Sequence, residues 1–250
     1  MTVRNSILAG VAFLALGATS SQAADLFGGK GGSIKDGSYQ TEIVASRPHS
    51  WYLRGDFSFA GNDLGGIRQD PNYVASEVSI DRNWAFGGGV GYYFSKSVRG
   101  DLTLEGRSTA KTHGKIFYGP GFNADTNVGL RSTVGLANLY YDFDMRSHFT
   151  PYLGIGLGFA SNKTSDSALS GCCTAPVEGA TKTSAAGALM AGFSAKVADR
   201  VNFDAGYRFL YLGDATTGLM QSTPVTTRPA LHLEDISAHE FRVGLRVDIR

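Results

Sequence analysis

Near the end of the chain, within residues 236–250, apolar and polar side chains alternate without interruption from Glu240 to Ile249. Successive side chains of a β-strand point to opposite faces, so this pattern predicts a strand with one apolar and one charged face. The apolar row is Phe241, Val243, Leu245, Val247 and Ile249, and the polar row is Glu240, Arg242, Gly244, Arg246 and Asp248. Such a strand suits a barrel in water as well as a barrel in lipid.

Seven earlier segments show the same type of pattern, so the chain is predicted to form eight strands. Their ranges are 51–60, 84–94, 98–108, 130–143, 150–160, 184–197, 201–212 and 236–250. The fourth is less regular, because Val134 and Leu136 fall on the row opposite to Ala137 and Leu139. A β-bulge in this strand would account for the change of row.

The connections between the predicted strands alternate in length. The long ones are 61–83, 109–129, 161–183 and 213–235, and the short ones are 95–97, 144–149 and 198–200. This alternation predicts an all-β fold, an eight-stranded antiparallel up-and-down barrel with every long loop at one end. Short periplasmic turns and four long extracellular loops are typical of transmembrane barrels, in which a tilted strand of about 11 residues spans the apolar band of about 25 Å.

Two further patterns favour lipid over water on the apolar face, although a soluble barrel of the lipocalin kind also alternates. Aromatic residues concentrate near strand ends, as in the girdles at membrane interfaces. The polar rows of the first, third, seventh and eighth strands carry equal numbers of Arg and of acidic residues. They are Arg54, Arg99, Arg107, Arg208, Arg242 and Arg246, with Asp56, Asp101, Glu105, Asp204, Glu240 and Asp248.

A balanced set of this kind is what a packed polar lumen requires, because buried charges are tolerated only when they are paired. All of these residues except Arg99 and Asp248 are predicted to form a structural charge network in the lumen. The charges of the last strand are expected to pair with Arg54 and Asp56, since the first and last strands are neighbours in a closed barrel.

Arg131 and His239 are the charged or titratable residues that the pattern places on the outward face. Both lie near the loop ends of their strands, where charge costs little. They are candidates for contact with the phosphates of surface glycolipid, or they are rim residues that reach water.

The N-terminus has the organisation of a secretory signal peptide over residues 1–23. Arg4 precedes an apolar run at 6–18, and Ser21-Gln22-Ala23 provides a small-residue cleavage site. A retained anchor helix is the alternative, but the run is shorter than the roughly 20 residues that a spanning helix needs. Residues 24–50 are predicted to be a periplasmic N-terminal extension, and residues 51–250 the barrel.

Composition and motifs provide no catalytic, cofactor or metal site. The formal net charge of +1 gives no reason to expect nucleic-acid binding. Cys172 and Cys173 are adjacent, so a disulfide between them would pinch a loop tip, and free thiols are the alternative. The histidines lack metal-ligand spacing. The only candidates for an enzymatic site at the rim are His239 with Glu240, and His232 with Glu234 and Asp235.

Four segments resemble the small Gram-negative outer-membrane β-barrels that include opacity-type proteins and surface antigens. These segments are WYLRGDFSF, LANLYYDF, VNFDAGYRFLYLG and HEFRVGLRVDI. The resemblance implies a barrel in the outer membrane, inserted by the barrel assembly machinery and surrounded by outer-membrane lipids and lipopolysaccharide. It implies roles in envelope integrity, adhesion or host interaction, with extracellular ligands at the long loops, and no shared catalytic residues.

Two other functions remain open at this point: a narrow porin-like channel, and an outer-membrane lipid-modifying enzyme. The chain departs from the family pattern at its end, where Arg250 stands instead of the aromatic residue that the assembly machinery reads.

Overall fold

The computed structural model describes residues 50–69, 73–120, 122–145, 148–171, 175–222, 226–228 and 230–249. No helix in these ranges is long and apolar enough to cross a bilayer. The predicted signal peptide, most of the N-terminal extension, Cys172, Cys173 and Arg250 lie outside the described residues.

Fifteen strands are present in the described part of the chain. Eight long ones are β1 (Trp51–Asp63), β4 (Asn83–Tyr93), β5 (Val98–Arg107), β7 (Phe122–Asp142), β8 (Phe149–Thr164), β11 (Thr181–Ala198), β12 (Val201–Thr216) and β15 (Leu231–Ile249). The other seven lie in the connections between them: β2 (Gly66–Gln69), β3 (Tyr73–Ile80), β6 (Ala110–Gly119), β9 (Ser167–Gly171), β10 (Ala175–Val177), β13 (Met220–Ser222) and β14 (Thr226–Arg228).

The eight long strands form a closed antiparallel ring in chain order, and β15 pairs with β1 to close it. The predicted eight-stranded up-and-down barrel is therefore confirmed. Two of the predicted short connections are turns in the structure, around residues 94–97 and 199–200, and the third is described only at residues 143–145 and 148.

The pairing register fixes the stagger of the barrel. Starting at Asn62 and following paired residues once around the ring leads back to β1 at Tyr52, ten residues earlier. In an eight-stranded barrel such a stagger goes with strands tilted by about 35–45° and an interior just wide enough for side chains.

The four long connections differ from the prediction, because they are mostly strand rather than loop. In the described residues of each connection, antiparallel strands pair as in a β-hairpin and continue the wall of the barrel. We call these described parts of the four hairpins together the crown (residues 64–69, 73–82, 108–120, 122–130, 165–171, 175–180, 213–222, 226–228 and 230–236). Their strands pair with one another through β3–β6, β7–β9 and β10–β13, and β2 pairs with the start of β15. The crown is thus a continuous wall over much of its circumference.

The polarity of the wall reverses between barrel and crown. In β15 the inward side chains are Leu231, Leu233 and Ile236 in the crown, whereas Glu240 and Arg242 point inward below. The outward side chains change in the opposite sense. The crown therefore has an apolar core and a polar surface, as a water-soluble barrel has, while the section below has a polar lumen and an apolar surface.

The predicted β-bulge in the fourth strand is wrong. The register of β7 with β5 and with β8 runs without a shift through Val134 and Leu136. Both side chains are buried and belong to the apolar cluster that fills the crown. They face inward because the apolar core extends down this side of the interior, so no extra residue is needed.

The outer surface below the crown is apolar and is bordered by aromatic rings. At the turn end the exposed rings are Trp51, Phe94, Phe143 and Phe149, and at the crown end they are Phe59, Trp84, Phe159 and Tyr211. These two belts have the placement of membrane-interface girdles.

Candidate functional site

Four of the predicted lumen residues form one buried, neutral cluster, which we call the quartet: Glu105, Arg107, Arg208 and Glu240. Arg208 Nη2 lies 2.6 Å from Glu105 Oε2 and 2.5 Å from Glu240 Oε2. Arg107 Nη1 lies 3.2 Å from Glu105 Oε1 and also contacts Glu240. Each carboxylate therefore binds both guanidinium groups, which ties β5, β12 and β15 together across the lumen.

A second neutral cluster crosses the seam where the barrel closes. Arg242 Nη2 on β15 lies 2.6 Å from Asp56 Oδ2 on β1. Arg54 binds Asp56 through Nε at 2.8 Å and reaches Asp101 on β5 through Nη1 at 2.6 Å. Arg54 thus contacts acids on β1 and β5 and not on the last strand. Of the pairs expected between the first and last strands, the structure shows the one between Arg242 and Asp56.

The remaining inward charges lie nearer the turn end. Arg246 Nη1 is 3.5 Å from Asp204 Oδ2, and its guanidinium lies over the ring of Tyr52. Arg99 is fully buried and pairs with Asp142 at 3.0 Å. Sequence reasoning did not include Asp142 in the network, although its alternation with Tyr141 and Phe143 was a usable signal.

Interleaved tyrosines complete the packing of the lumen. Tyr52 Oη donates to Asp101 at 3.0 Å, and Tyr140 Oη accepts from Arg54 Nη1 at 2.9 Å. The guanidinium of Arg99 stacks 4.0 Å from the centre of the Tyr140 ring. These buried charged and aromatic side chains lie in the lumen below the apolar core of the crown.

The two predicted outward residues lie on opposite sides of the ring, since β7 and β15 are four strands apart in either direction. His239 Nδ1 is 2.5 Å from Tyr207 Oη, and His239 Nε2 is 3.4 Å from Asp63 Oδ2. Arg131 lies directly opposite Lys163 on β8. The structure therefore does not bring Arg131 and His239 into one site.

The suggested enzymatic groupings at the rim are not assembled as the sequence implied. His239 is exposed on the outside, whereas Glu240 is buried in the quartet. Glu234 pairs with Arg68 at 2.7 Å. In the ranges that the structure describes, no group of three or more His, Cys, Asp or Glu residues is placed to hold a metal ion.

An open groove of about 260 Å³ lies on the crown. Its lining is Glu77, His113, Gly114, Lys115, Asp125, Thr126, Asn127 and Ser170. Lys115 Nζ is 2.6 Å from Glu77 Oε2, and this hydrogen-bonded carboxylate raises the pKa of Lys115 above its ordinary value. Glu77 has φ 52° within an irregularity of β3. The groove presents both signs of charge to the outside.

Asp214 fastens the base of the fourth crown hairpin. Its Oδ1 accepts from the backbone N–H of Asp235 at 3.1 Å, and its Oδ2 lies 3.2 Å from Lys182 Nζ. The backbone hydrogen bond, followed by the lysine, lowers the pKa of Asp214 below its ordinary value. Asp235 has φ 51° at this point, where the register between β12 and β15 also shifts.

A family model described as "Outer membrane protein beta-barrel domain" matches residues 9–247 of the chain. The chain belongs to the outer membrane β-barrel family. This places the barrel in the outer membrane, with its apolar surface in lipid.

Several named proteins are similar in sequence or in fold to this outer-membrane barrel. A putative adhesin of Rickettsia prowazekii is 33% identical over 213 residues, which cover 80% of this chain and 88% of that protein. The outer membrane protein PagN of Salmonella typhimurium is 33% identical over 144 residues, covering 51% of this chain and 58% of PagN. The crystal structure of the outer membrane protein OprG of Pseudomonas aeruginosa superposes with a TM-score of 0.51 at 14% identity, covering 82% and 99% of the two chains, which supports the fold alone.

Proposed function

We propose that this outer-membrane barrel is a closed anchor that holds the crown outside the cell for attachment to another surface. The observation that carries the proposal is the crown itself. Its four hairpins pair edge to edge over an apolar core, so its polar surface is held in one shape before any partner arrives. A preorganised surface loses little conformational entropy on binding.

The crown carries features suited to contact with a partner. Val74 and Phe117 are more than half exposed, next to the paired residues Ala75 and Ile116 of β3 and β6. Aromatic and apolar side chains of this kind are frequent anchors of interfaces. The groove around Lys115 lies on the same hairpins and adds charged groups. The adhesin name of a relative with 33% identity over most of the chain agrees with an attachment role.

The remaining partners follow from the location. The barrel assembly machinery inserts the chain, outer-membrane lipids and lipopolysaccharide surround it, and extracellular ligands meet the four crown hairpins. The packed charge clusters support envelope integrity by holding the wall rigid. This proposal assigns no enzymatic step and no solute flux to the protein.

Attachment can be measured with a non-adherent Gram-negative laboratory strain that displays the protein, on cultured epithelial cells and on matrix-coated plates. We expect display to increase the number of attached cells, and Val74→Ser with Phe117→Ser to lower attachment severalfold. A matched variant at the periplasmic end, Val197→Ser with Phe94→Ser, should attach like the wild type at equal surface amounts. Equal attachment by displaying and non-displaying cells would contradict the proposal.

A further inference from the structure

Two cations face each other on the outer surface just beyond the aromatic belt. Arg131 on β7 is paired directly with Lys163 on β8, and both side chains are exposed. In an antiparallel pair, opposite Cβ atoms are about 4.5–5.5 Å apart, and like charges at this spacing are destabilising. Repulsion between Arg131 and Lys163 therefore destabilises this part of the barrel, although the fold itself does not require two cations here.

A third cation extends the pair. Lys111 on β6 lies opposite Gly129, two residues from Arg131 along β7, and is also exposed. No carboxylate in the described part of the chain forms an ion pair with Lys111, Arg131 or Lys163. Asp81 lies opposite Lys111 and donates its backbone N–H to the carbonyl oxygen of Lys111 at 2.9 Å, while its Oδ1 lies 3.8 Å from His113 Nε2.

The height of the cations matches the headgroup layer. Phe159, in the belt at the crown end, is paired with Gly135, and Lys163 and Arg131 are each four residues farther along the same strands. Four residues of a tilted strand rise about 10 Å. Long cationic side chains bridge such a distance by extending toward the interface. Below the belt, the outward row of β8 continues with exposed Leu157 and Ile155.

We propose that Lys111, Arg131 and Lys163 bind the phosphate group of an anionic lipid in the outer leaflet, and that the acyl chains of this lipid pack along β8. The phosphate supplies negative charge to Arg131 and Lys163, which form no ion pair with a carboxylate among the described residues, and guanidinium and ammonium groups are the usual donors to phosphate. The exposed hydroxyl residue Thr181, paired with Lys163, adds a polar neighbour. The site does not depend on the attachment role of the crown.

His239 is not part of this site. It lies on the opposite side of the barrel and already has Tyr207 and Asp63 as partners. The phosphate site consequently combines one residue that the sequence pattern had singled out, Arg131, with two in segments that had been assigned to loops.

Native mass spectrometry of the folded barrel in detergent tests the site, with bisphosphorylated lipid A as the probe and the same lipid without phosphates as the comparison. We expect the wild type to retain the phosphorylated lipid. Since a basic residue near a membrane surface contributes about fivefold to binding, Lys111→Gln, Arg131→Gln and Lys163→Gln together should weaken binding on the order of 100-fold. The control replaces three exposed cations at the turn end by Gln: Lys96, Lys196 and Arg200.

A second measurement separates binding from folding. In detergent without lipid A, Lys163→Gln should leave unchanged or raise the midpoint of heat unfolding, because the like-charge pair is removed. With lipid A present, the same variant should have a lower midpoint than the wild type. Equal retention by the triple variant and the wild type, equal retention of the dephosphorylated lipid, or the same effect of Lys163→Gln on the midpoint with and without lipid A would overturn the proposal.

Discussion

The geometry of the quartet predicts how much unfolding free energy is lost when Glu240 is replaced. Its carboxylate is fully buried and binds both Arg107 and Arg208. Glu240→Gln keeps the size of the side chain but leaves the quartet with two guanidinium groups and the single carboxylate of Glu105. Removing one partner of a buried ion pair costs about 3–5 kcal/mol, and we expect a loss of unfolding free energy in this range.

The measurement is urea unfolding of the detergent-folded protein, followed by gel mobility and by the fluorescence of Trp51 and Trp84. A second substitution, Arg107→Met, sharpens the test, because it leaves a neutral pair of Arg208 and Glu105 at 2.6 Å. The double variant should be about 1–3 kcal/mol more stable than the sum of the single effects.

Asp199→Asn is the control for loss of an acidic charge, since this residue is fully exposed in a periplasmic turn. It should change the unfolding free energy by less than about 0.5 kcal/mol. A change as small as this for Glu240→Gln, or strict additivity of the double variant, would refute the reasoning that the quartet is held together by mutual charge compensation.

Three further predictions follow from other parts of the molecule. Arg242→Glu places two acids against each other at the closing seam, so the midpoint of the heat-induced gel shift should fall; an unchanged midpoint would argue against the pairing with Asp56. Gly91→Ala introduces a Cβ 2.2 Å from the Tyr52 ring and should cost about 1–3 kcal/mol in urea unfolding, whereas Gly55→Ala meets no atom within 4 Å and serves as control. The ionised carboxylate of Asp214 stabilises the fourth hairpin at pH values above the ordinary pKa of Asp, and this stability is lost as the pH falls through the lowered pKa of the folded state. Limited proteolysis of the crown should therefore accelerate over that acidic range in the wild type but not in Asp214→Asn.

The barrel was predictable from the sequence because one rule governs it. A lipid-facing strand must alternate with period two, and the row from Phe241 to Ile249 obeys this rule without exception. The inward direction of Arg242 and Glu240 follows from the same alternation. Local alternation contains no information on which inward charges meet, however. The contact of Arg54 with Asp101 follows from the registers of β4 with β1 and with β5, which only the assembled sheet reveals.

The crown was mistaken for loops because its hairpins break the expected pattern. Its strands alternate in the opposite sense, with Ile116 inward and Lys115 outward, and residues 64–65, 81–82 and 108–109 separate them as short non-strand segments. Turn-forming residues such as Pro71 and Gly65 are also more typical of loops than of strands. Lys163 was overlooked for the same reason, since it lies in a segment that had been assigned to a loop.

The reversal of polarity at the base of the crown favours movement of the barrel in one direction during membrane insertion, toward the outside. Within lipid, burying an apolar side chain yields no hydrophobic gain, because the hydrocarbon is as apolar as the side chain. Burial out of water stabilises Leu231, Leu233 and Ile236 only where the hairpins, before they pair, are in contact with water. The gain is about 1.5–3 kcal/mol for each side chain that becomes fully buried. Once the crown has closed on the far side of the membrane, backward movement of the barrel requires these side chains to be exposed to water again. The closed crown therefore keeps the barrel in place without nucleotide hydrolysis.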